Sequence, residues 1–455
     1  MKMKVVVVGA SHGGHEAAHE ALTRYPDAQV TVYEAGDFVS FMSCGMELFL
    51  EDKVTDRDDV RNFKPADLEK FGGKILTQHE VTGIDTDAKK VTVKNWATGE
   101  VLEDSYDKLI LSSGVTPATI PVPGADLDNV YLMRGRDWAT KIYDKLHDDA
   151  VSSVVVVGTG YIGIEAAEVF AKAGKKVTVI DLIDRPLGNY LDAELAEKVR
   201  VELEKNGVNL HLGHTVAAFE GDGTLTKVKD DAGQVFDADL AIVAAGVKPN
   251  TKYLQGTIDL DQRGWIKTDP YLRTSAKDVY AIGDAILPLF APAGQPAPIA
   301  LASTARREAR YVIETMTMDK PARSFAGVNG SSALPVFDYN LATTGVNANN
   351  AAKMNLEIAS SLYEATIRPE FVKEGNPEIS VKLIFNPKTH AILGGQVLSK
   401  ADVTAHANTI ALAIKGKMTL EDLAEADFFF QPGYDRQWSV LNLVAQTALG
   451  QIPSV

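Results

Sequence analysis

The chain of 455 residues contains one cysteine, Cys44, which excludes an internal disulfide and any cysteine-rich metal site. It also lacks a long apolar run, since no stretch approaches the roughly 20 residues that a membrane-spanning helix needs. Basic residues number 46 against 61 acidic ones, and the net charge of −15 argues against nucleic acid or an anionic membrane as partner. With one cysteine and no targeting segment, we expect a cytoplasmic protein.

The chain has the length and composition of a protein with several globular domains. Its 455 residues exceed what one hydrophobic core organises, so two to four domains are expected. The hydrophobic fraction of 45% and the charged fraction of 24% are typical of such domains. One βαβ pattern occurs twice, about 150 residues apart.

The first copy begins with the apolar strand 4–8 and a turn of small residues. Gly9 permits the tight turn, Ser11 stands where a glycine would let the backbone approach a pyrophosphate, and Gly14 permits close packing of helix on strand. The helix that follows supplies N–H donors and a positive dipole to phosphates. The second strand ends at Glu34, whose carboxylate can accept hydrogen bonds from a ribose.

The second copy is complete. Its apolar strand 154–157 leads into Gly158, Gly160 and Gly163, and the strand after the helix ends at Asp181. The same arguments predict a dinucleotide on this turn. A carboxylate at the strand end favours NAD, because the 2′-phosphate of NADP would meet a like charge.

Two further segments resemble the flavoprotein disulfide reductase superfamily. The strand 109–111 leads into Ser113 and Gly114, and a later segment contains Gly283 and Asp284. In the superfamily, the Asp of the later segment holds the ribityl and phosphate portion of FAD. The resemblance implies that the first βαβ unit binds FAD, with its acidic residue on the adenosine ribose, and that the second binds NADH.

The resemblance also implies an α/β fold with two Rossmann-like dinucleotide-binding domains and a C-terminal α+β dimerisation domain. Gly246 begins a run that resembles the return from an inserted NAD domain, so the FAD domain is expected to be discontinuous. The predicted domains are an FAD domain at 1–120 and 245–325, an NAD(H) domain at 121–244 and an interface domain at 326–455.

The third domain is predicted from a change of pattern. Residues 381–385 and 391–395 indicate the two strands of a hairpin, and a helix is expected at 401–414. Three consecutive phenylalanines at 428–430 are too apolar to lie free in solvent and fit burial against a partner. We therefore expect a homodimer or homotetramer.

Cys44 follows the first unit and is therefore expected near the predicted cofactor. Disulfide reductases of this superfamily use a C-x4-C pair, but Phe49 occupies the second position here, so a dithiol cycle is impossible. A single sulfur can still cycle between thiolate and sulfenic acid. That chemistry needs a thiolate, which a helix predicted at 45–50 and nearby cations are expected to stabilise.

Four segments resemble the NADH peroxidase and water-forming NADH oxidase family of FAD enzymes, and the similarity extends over essentially the whole chain. The segments are 11–14, 40–46, 160–168 and 428–432. The peroxidase branch is the closer match, since its His-Gly-Gly-x-Glu and Met-Arg-Gly-Arg-x-Trp runs both occur here. We therefore expect an NADH peroxidase that reduces hydrogen peroxide to water. Alternatives are a water-forming NADH oxidase, then a coenzyme A disulfide reductase, and, outside enzymes, a redox sensor.

The resemblance implies two half-reactions, in which NADH reduces FAD and reduced FAD restores the Cys44 thiolate from its sulfenic acid. The thiolate attacks peroxide, and a charge or donor beside the departing oxygen lowers the barrier. His12 is the candidate for this role. Glu16, one helical turn further on, can orient or charge its imidazole. Arg306 matches the family's arginine in the cluster.

Cofactor contacts are implied in the same way. Tyr161 would cover the nicotinamide side of the flavin until NADH displaces it, Glu165 would approach the nicotinamide, and Tyr190 would contact NADH. Further cofactor-binding residues expected from the matched motifs are Ser43, Arg134 and Ile162.

Two histidine groups resemble metal sites. His12, His15 and His19 fall near one helix face, but no known pattern of metal ligands accompanies them. We expect His15 and His19 to be exposed or at an edge. His211 and His214 carry no specific signal, and no metal is predicted.

Overall fold

A computed structural model describes residues 2–452 of the chain. The strands up to residue 222 are β1 (Lys4–Val8), β2 (Gln29–Tyr33), β3 (Lys74–Leu76), β4 (His79–Asp85), β5 (Lys90–Asn95), β6 (Val101–Ser105), β7 (Lys108–Leu111), β8 (Val115–Pro117), β9 (Val130–Leu132), β10 (Ser153–Val157), β11 (Lys176–Asp181), β12 (Val208–Leu212) and β13 (Val216–Asp222). The later strands are β14 (Thr224–Asp230), β15 (Val235–Asp237), β16 (Leu240–Val243), β17 (Val247–Pro249), β18 (Val279–Ala281), β19 (Leu289–Phe290), β20 (Gln295–Pro296), β21 (Ser332–Val336), β22 (Tyr339–Gly345), β23 (Ala359–Thr366), β24 (Glu378–Phe385) and β25 (Ile392–Ser399). The α-helices are α1 (His12–Arg24), α2 (Met46–Leu50), α3 (Pro65–Glu69), α4 (Arg136–Leu146), α5 (Tyr161–Lys172), α6 (Ala193–Lys205), α7 (Ala302–Thr315), α8 (Ala348–Lys353), α9 (Ala405–Gly416), α10 (Leu420–Ala424) and α11 (Val440–Ala448).

The first sheet is parallel, with the strand order β18-β7-β1-β2-β3. Its centre is β1, whose valines at 5–7 are fully buried because the sheet is covered on both faces. Helices α1 and α7 pack against each other beside this sheet. The antiparallel sheet β4-β5-β6 belongs to the same part of the chain, and its buried valines join the same core.

The second sheet repeats the architecture with the order β12-β11-β10-β16-β9, again parallel. Helices α5 and α6 pack on it through fully buried apolar residues such as Phe170 and Leu203. A short antiparallel sheet, β13-β14-β15, covers the other side through Phe219 and Val228.

The third sheet is antiparallel, with the order β21-β22-β25-β24-β23. The predicted hairpin is confirmed as β24 paired with β25, and its turn includes His390 at a positive φ of 57°. Helices α9 and α11 cover this sheet with an apolar core. Phe429 and Phe430 are 70% and 46% exposed in the single chain.

The three sheets confirm the predicted fold class. Two short strands, β8 and β17, pair antiparallel where the chain leaves the first sheet for the second and where it returns. Within residues 2–452, no helix is both long and apolar enough to cross a membrane.

Candidate active site

A cavity of about 2490 Å³ lies between the three sheets. This is several times the roughly 300–1,000 Å³ of a site for one small ligand, so it has room for more than one. Every predicted site residue lines the cavity except four, namely Gly14, Glu16, Gly163 and Arg306.

The first glycine turn leaves backbone in contact with backbone. Gly9 has a φ of +91°, and a Cβ there would lie 2.3 Å from the carbonyl oxygen of Ser112. A Cβ on Gly14 would lie 1.8 Å from the carbonyl oxygen of Gly9. Gly14 therefore acts beneath the turn, where it lets α1 approach β1, and leaves the N-terminus of α1 facing the cavity.

The acidic residue at the end of β2 braces this turn. Glu34 accepts a hydrogen bond from the N–H of Ala10 at 2.7 Å and another from the N–H of Gly36 at 2.9 Å. Ser11 precedes α1, and its side chain makes no capping hydrogen bond to the helix. The exposed Ser11 hydroxyl is therefore free to meet a phosphate group.

The second glycine turn has the same construction. Gly158 has a φ of +109°, and a Cβ there would lie 2.6 Å from the carbonyl oxygen of Ala244. A Cβ on Gly163 would lie 2.0 Å from the carbonyl oxygen of Gly158. At Gly160 a Cβ would meet no protein atom within 4 Å, so this glycine leaves room for a ligand.

Asp181, at the end of β11, braces the second turn more tightly. Its Oδ2 accepts hydrogen bonds from the N–H of Thr159 at 2.5 Å and from the hydroxyl of the same residue at 2.6 Å. Its Oδ1 accepts from the N–H of Ile183 at 2.8 Å. The carboxylate is therefore fixed in orientation while still lining the cavity.

Two polar residues and two glycines face the side of the cavity where FAD is expected to bind. The buried Ser113 hydroxyl has no hydrogen-bond partner within residues 2–452, and Gly114 beside it would accept a Cβ without contact. Asp284, in a 3-10 turn that starts at Gly283, accepts a hydrogen bond from Arg134 at 2.8 Å. Gly246 has a φ of +104° and open space around it. These groups fit a polar cofactor lying along the first sheet.

Cys44 lies in the 3-10 turn Ser43–Gly45, directly before α2, and is exposed within the cavity. The cavity walls still withhold water from the sulfur, and this desolvation raises the pKa of the thiol. Arg306 acts in the opposite direction but does not reverse the shift. The expected stabilisation of the thiolate by backbone N–H groups and a cation is thus present, but desolvation and the charge of Glu165 outweigh it.

His12 opens α1 and faces the cavity. Burial, and then the positive charge of Arg306, lower the pKa of its imidazole. Its Nδ1 is buried and has no hydrogen-bond partner within the described chain. His12 is therefore a neutral donor or acceptor at neutral pH rather than a cation.

Glu16 does not act on His12, contrary to the expectation. Its Oε1 accepts a hydrogen bond from Nε of Arg310 at 2.7 Å, because Glu16, the fifth residue of α1, faces α7 and not the cavity. Arg306, on α7, places its Nη2 3.3 Å from Nε2 of His15. Glu16 and Arg306 therefore make separate contacts: Glu16 binds Arg310, and Arg306 lies against His15.

The expected exposure of His15 is wrong, since it is 1% exposed. Its Nδ1 lies 2.9 Å from the hydroxyl of Ser40, and its ring lies 4.6 Å from that of Phe63. Burial, then Arg306, lower its pKa to about 3. This neutral imidazole links α1 to the segment that leads to Cys44, a contact that periodicity alone does not reveal.

Two tyrosines stack in the part of the cavity next to the third sheet. The rings of Tyr161 and Tyr190 lie 4.0 Å apart at 17°, and the hydroxyl of Tyr161 lies 2.6 Å from that of Ser332 in the third sheet. Ile162 follows on α5 and also lines the cavity. Ser332 was not predicted, because nothing in the sequence places the third sheet beside this helix.

Two carboxyl groups share the cavity wall with Cys44. Glu165 comes from α5, as predicted, and Glu47 comes from α2 without having been predicted. Burial raises the pKa of Glu165 to about 8 and that of Glu47 to about 7, and neighbouring carboxylates add to both shifts.

The second histidine group, His211 and His214, is held by contacts with acidic side chains. Nε2 of His211 lies 2.7 Å from the carboxylate of Asp230, and Nδ1 of His214 lies 3.1 Å from that of Asp231. Each imidazole therefore has an acidic partner in the protein itself.

Comparison with known proteins identifies the class of protein. Residues 3–309 match the family model of the pyridine nucleotide-disulphide oxidoreductases, and residues 331–440 match the dimerisation domain of the same class. The chain belongs to this family. Its cofactors are FAD and NADH, and the two glycine turns with their acidic braces fit them.

Individual relatives extend over almost the whole chain. An NADH oxidase of Enterococcus faecalis is 40% identical over 449 residues, covering 98% of this chain and 99% of that protein. An NADH oxidase of Streptococcus pyogenes is 31% identical over 454 residues, covering 97% and 98%. The structure of the water-forming NADH oxidase of Lactobacillus brevis bound to NADH superposes with a TM-score of 0.94 at 37% identity, covering 99% of both chains. The chain is thus an NADH-oxidising flavoprotein.

Proposed function

We propose that this protein is a water-forming NADH oxidase, in which Cys44 completes the reduction of oxygen to water. The observation that carries the proposal is a single cavity lined by both dinucleotide turns, Cys44 and His12. The whole-length similarity to NADH oxidases supports oxygen over peroxide as the oxidant. The expectation of a peroxidase therefore takes second place.

The protein's own residues would hold the two cofactors at opposite ends of this cavity. The FAD end is formed by five residues that line the cavity around the first sheet: Gly9, Ser11, Glu34, Arg134 and Asp284. The NADH end is formed by Gly158, Gly160, Gly163, Asp181 and Tyr190. When bound, FAD supplies two-electron transfer between nicotinamide and sulfur.

Cys44 carries the peroxide step. Its thiolate attacks one oxygen of hydrogen peroxide, an S–O bond forms, the O–O bond breaks, and hydroxide leaves. The hydroxide takes up one proton to become water. Two electrons and a hydrogen from NADH then return the sulfenic acid to thiolate and release a second water. His12 donates a hydrogen bond to the departing oxygen as a neutral imidazole.

An NADH peroxidase is the second candidate, because it uses the same sulfur step. It is favoured by the run from His12 to Glu16 and by the run from Met133 to Trp138. In an oxidase the peroxide is produced from oxygen inside the cavity, whereas in a peroxidase it enters from solution. The two activities therefore differ in the source of the oxidant.

The test measures NADH consumption by the holoenzyme with oxygen alone and, separately, with peroxide under anaerobic conditions. A water-forming oxidase consumes two NADH per oxygen and releases no peroxide. In Cys44→Ser, one NADH is expected per oxygen, with peroxide released and FAD retained. Rapid anaerobic peroxide turnover with slow oxygen turnover would establish the peroxidase instead. Unchanged water formation by the Ser variant would refute the sulfur step in both.

The domain roles and the assembly complete the proposal. We assign 1–120 and 245–325 to FAD, 121–244 to NADH and 326–455 to the interface between copies. The exposed rings of Phe429, Phe430 and Tyr434 lie on or beside the segment that matches the dimerisation domain, and they fit burial in a homodimer or homotetramer. The cytoplasm remains the predicted compartment.

A further inference from the structure

A group of carboxyl side chains leads from the wall of the cavity towards the surface. Glu47, Glu51 and Glu168 each place one carboxylate oxygen within 4.8 Å of the others. We propose that these three glutamates form a proton relay that supplies the one proton consumed each time the Cys44 thiolate opens the O–O bond of peroxide. The inference rests on the proposed function and holds for either oxidant, since the sulfur step is common to both.

The relay runs along two neighbouring helices. Glu47 follows Cys44 by three residues and lines the cavity with it, while Glu51 lies one turn further on at the end of α2. On α5, Glu165 lines the cavity and Glu168 lies one turn deeper. Since α2 and α5 pack against each other, their acidic residues form a continuous path.

The middle of the path is shielded from solvent. Glu168 is 1% exposed, and its Oε2 has no hydrogen-bond partner within residues 2–452. Lys172 Nζ lies 2.6 Å from the other oxygen, Oε1, but without hydrogen-bond alignment. A buried carboxyl oxygen without a donor is costly, unless a proton is shared with a neighbouring carboxyl group.

The outer end reaches water through lysines. Lys172 is 43% exposed and donates to Glu51 at 2.7 Å, and Lys53, 60% exposed, is also paired with Glu51. Beyond them, on the loop after α2, Asp52 accepts a hydrogen bond from Tyr143 of α4. These are the charged and titratable groups that the neighbouring elements present to the outer end.

The pKa values of the glutamates differ between the inner and the outer end of the path. Burial, then the other carboxylates, raise the pKa of Glu47 to about 7 and that of Glu165 to about 8. Glu51 behaves oppositely: although burial acts to raise its pKa, hydrogen bonds from Lys172 and Lys53 lower it. Glu47 and Glu165 therefore hold protons near neutral pH, whereas Glu51 is ionised beside two exposed lysines.

The sulfur step requires such a supply. When the Cys44 thiolate opens the O–O bond, hydroxide is left in the cavity that Cys44 lines. One proton converts it to water, and Glu47 is the acid that lies nearest along the chain and shares the cavity wall. Glu168, whose carboxylate lies within 4.8 Å of those of Glu47 and Glu51, connects the two along the path, and solvent supplies protons at the outer end.

The test compares Glu47→Gln and Glu168→Gln with the matched control Glu202→Gln. Glu202 is a buried glutamate beside a lysine on α6, outside the cavity. A single turnover of reduced holoenzyme with peroxide at pH 8 is followed in weak buffer with a pH indicator. We expect proton uptake to slow at least about ten-fold in both relay variants, with the KM for NADH unchanged and with partial rescue by formate. The control should match the wild type.

A second readout does not depend on turnover. Infrared spectra of the resting enzyme at pH 6 should contain a carboxylic acid C=O band that is lost in Glu47→Gln and kept in Glu202→Gln. Lys53→Met, at the exposed end, removes a partner of Glu51 alone and should change the rate of proton uptake, and this keeps the test open if Glu168→Gln fails to fold.

The outcomes separate the two proposals. Wild-type proton uptake in Glu47→Gln and Glu168→Gln would overturn the relay while leaving the oxidase intact. A loss of turnover that formate does not relieve, accompanied by a raised KM, would also overturn it, because that pattern reports damaged structure. Failure of the wild type to oxidise NADH with either oxidant would instead refute the proposed function.

Discussion

The two βαβ units have the same backbone but differ in what their helices carry. A Cβ would lie 1.8 Å from the preceding carbonyl oxygen at Gly14 and 2.0 Å from it at Gly163, so both turns depend on glycine for the same contact. The middle positions differ, since Ser11 presents a hydroxyl where Gly160 presents open space. The shared part of each unit thus positions phosphates and does not determine the reaction.

The two units differ in the polar residues that their helices present to the cavity. On α1, Glu16 is bound to α7 and His15 to the loop before Cys44, so only His12 is left facing the cavity. On α5, Glu165 faces the cavity while Glu168 points toward α2. One unit therefore presents a neutral imidazole, and the other presents Glu165, whose raised pKa of about 8 keeps it protonated at neutral pH.

The largest expected effect comes from adding one methyl group to each turn. In Gly14→Ala the new Cβ meets the carbonyl oxygen of Gly9, so we expect loss of bound FAD and of all turnover. In Gly163→Ala the same collision should leave FAD in place and raise the KM for NADH at least about ten-fold, equal to about 1.4 kcal/mol. Flavin absorbance per chain after gel filtration and NADH titrations measure the two effects.

Gly416→Ala is the control for this pair. It lies at the end of α9, where a Cβ would have only ordinary contacts at 3.5 Å or more, so both flavin content and KM should be unchanged. Retention of FAD by Gly14→Ala would show that the two units do not divide the cofactors as proposed.

The next effect concerns the imidazole of the first unit. His12→Ala should slow the oxidation of Cys44 by peroxide on the order of 10²-fold, the usual loss when a donor to a developing anion is removed. His12→Asn keeps a neutral donor and should retain most of the rate. Single-turnover rates of Cys44 oxidation by peroxide distinguish these outcomes. An equal loss of rate in both variants would mean that a neutral donor is not sufficient at this position.

A smaller effect separates the two acidic braces. Asp181→Asn removes the negative charge while keeping an acceptor, so the ratio of kcat/KM for NADPH to that for NADH should rise about ten-fold. Glu34→Gln makes the matching change in the first unit and should leave this ratio unaltered while weakening FAD retention. A shift of the ratio in both variants would count against the division of roles.

The last effect is on stability and not on binding or turnover. Glu308 of α7 is fully buried, and burial raises its pKa to about 8. The folded protein holds this proton more tightly than the unfolded chain, so the stabilisation is complete below about pH 4.5 and is lost as pH rises towards 8. Urea unfolding should show a decrease on the order of 1–3 kcal/mol across that range. Glu308→Gln should flatten this slope, and an unchanged slope would exclude Glu308 as its source.

Much of the fold follows from local patterns in the sequence. The fully apolar strand at 4–8 and its repeat at 154–157 predicted parallel strands with covered faces, and these form β1 and β10. The hairpin at 381–395 followed from two apolar runs with a turn between them. Glycine and acidic spacing likewise predicted positions such as Gly14 and Asp181, because the contacts of these two residues are made within one βαβ unit.

The errors arise where partners come from distant parts of the chain. Glu16 was paired by helical spacing with His12, yet its partner is Arg310 on α7, almost 300 residues away. Glu47 received no role because its neighbour Glu168 lies on another domain's helix. Desolvation of Cys44 likewise depends on walls contributed by all three sheets. Such contacts depend on tertiary packing, which periodicity does not encode.

The pairing of β8 with β17 has a consequence for how the protein can be rebuilt. The chain leaves the first sheet at Pro117 and returns at Val247, and these two residues are direct partners in one short antiparallel ladder. The segment between them is therefore inserted at a single point of the chain, and its first and last residues lie side by side. Insertions with adjacent ends are the ones that hosts tolerate best. Exchange of this segment with that of a relative should change nucleotide preference while leaving the flavin site in place.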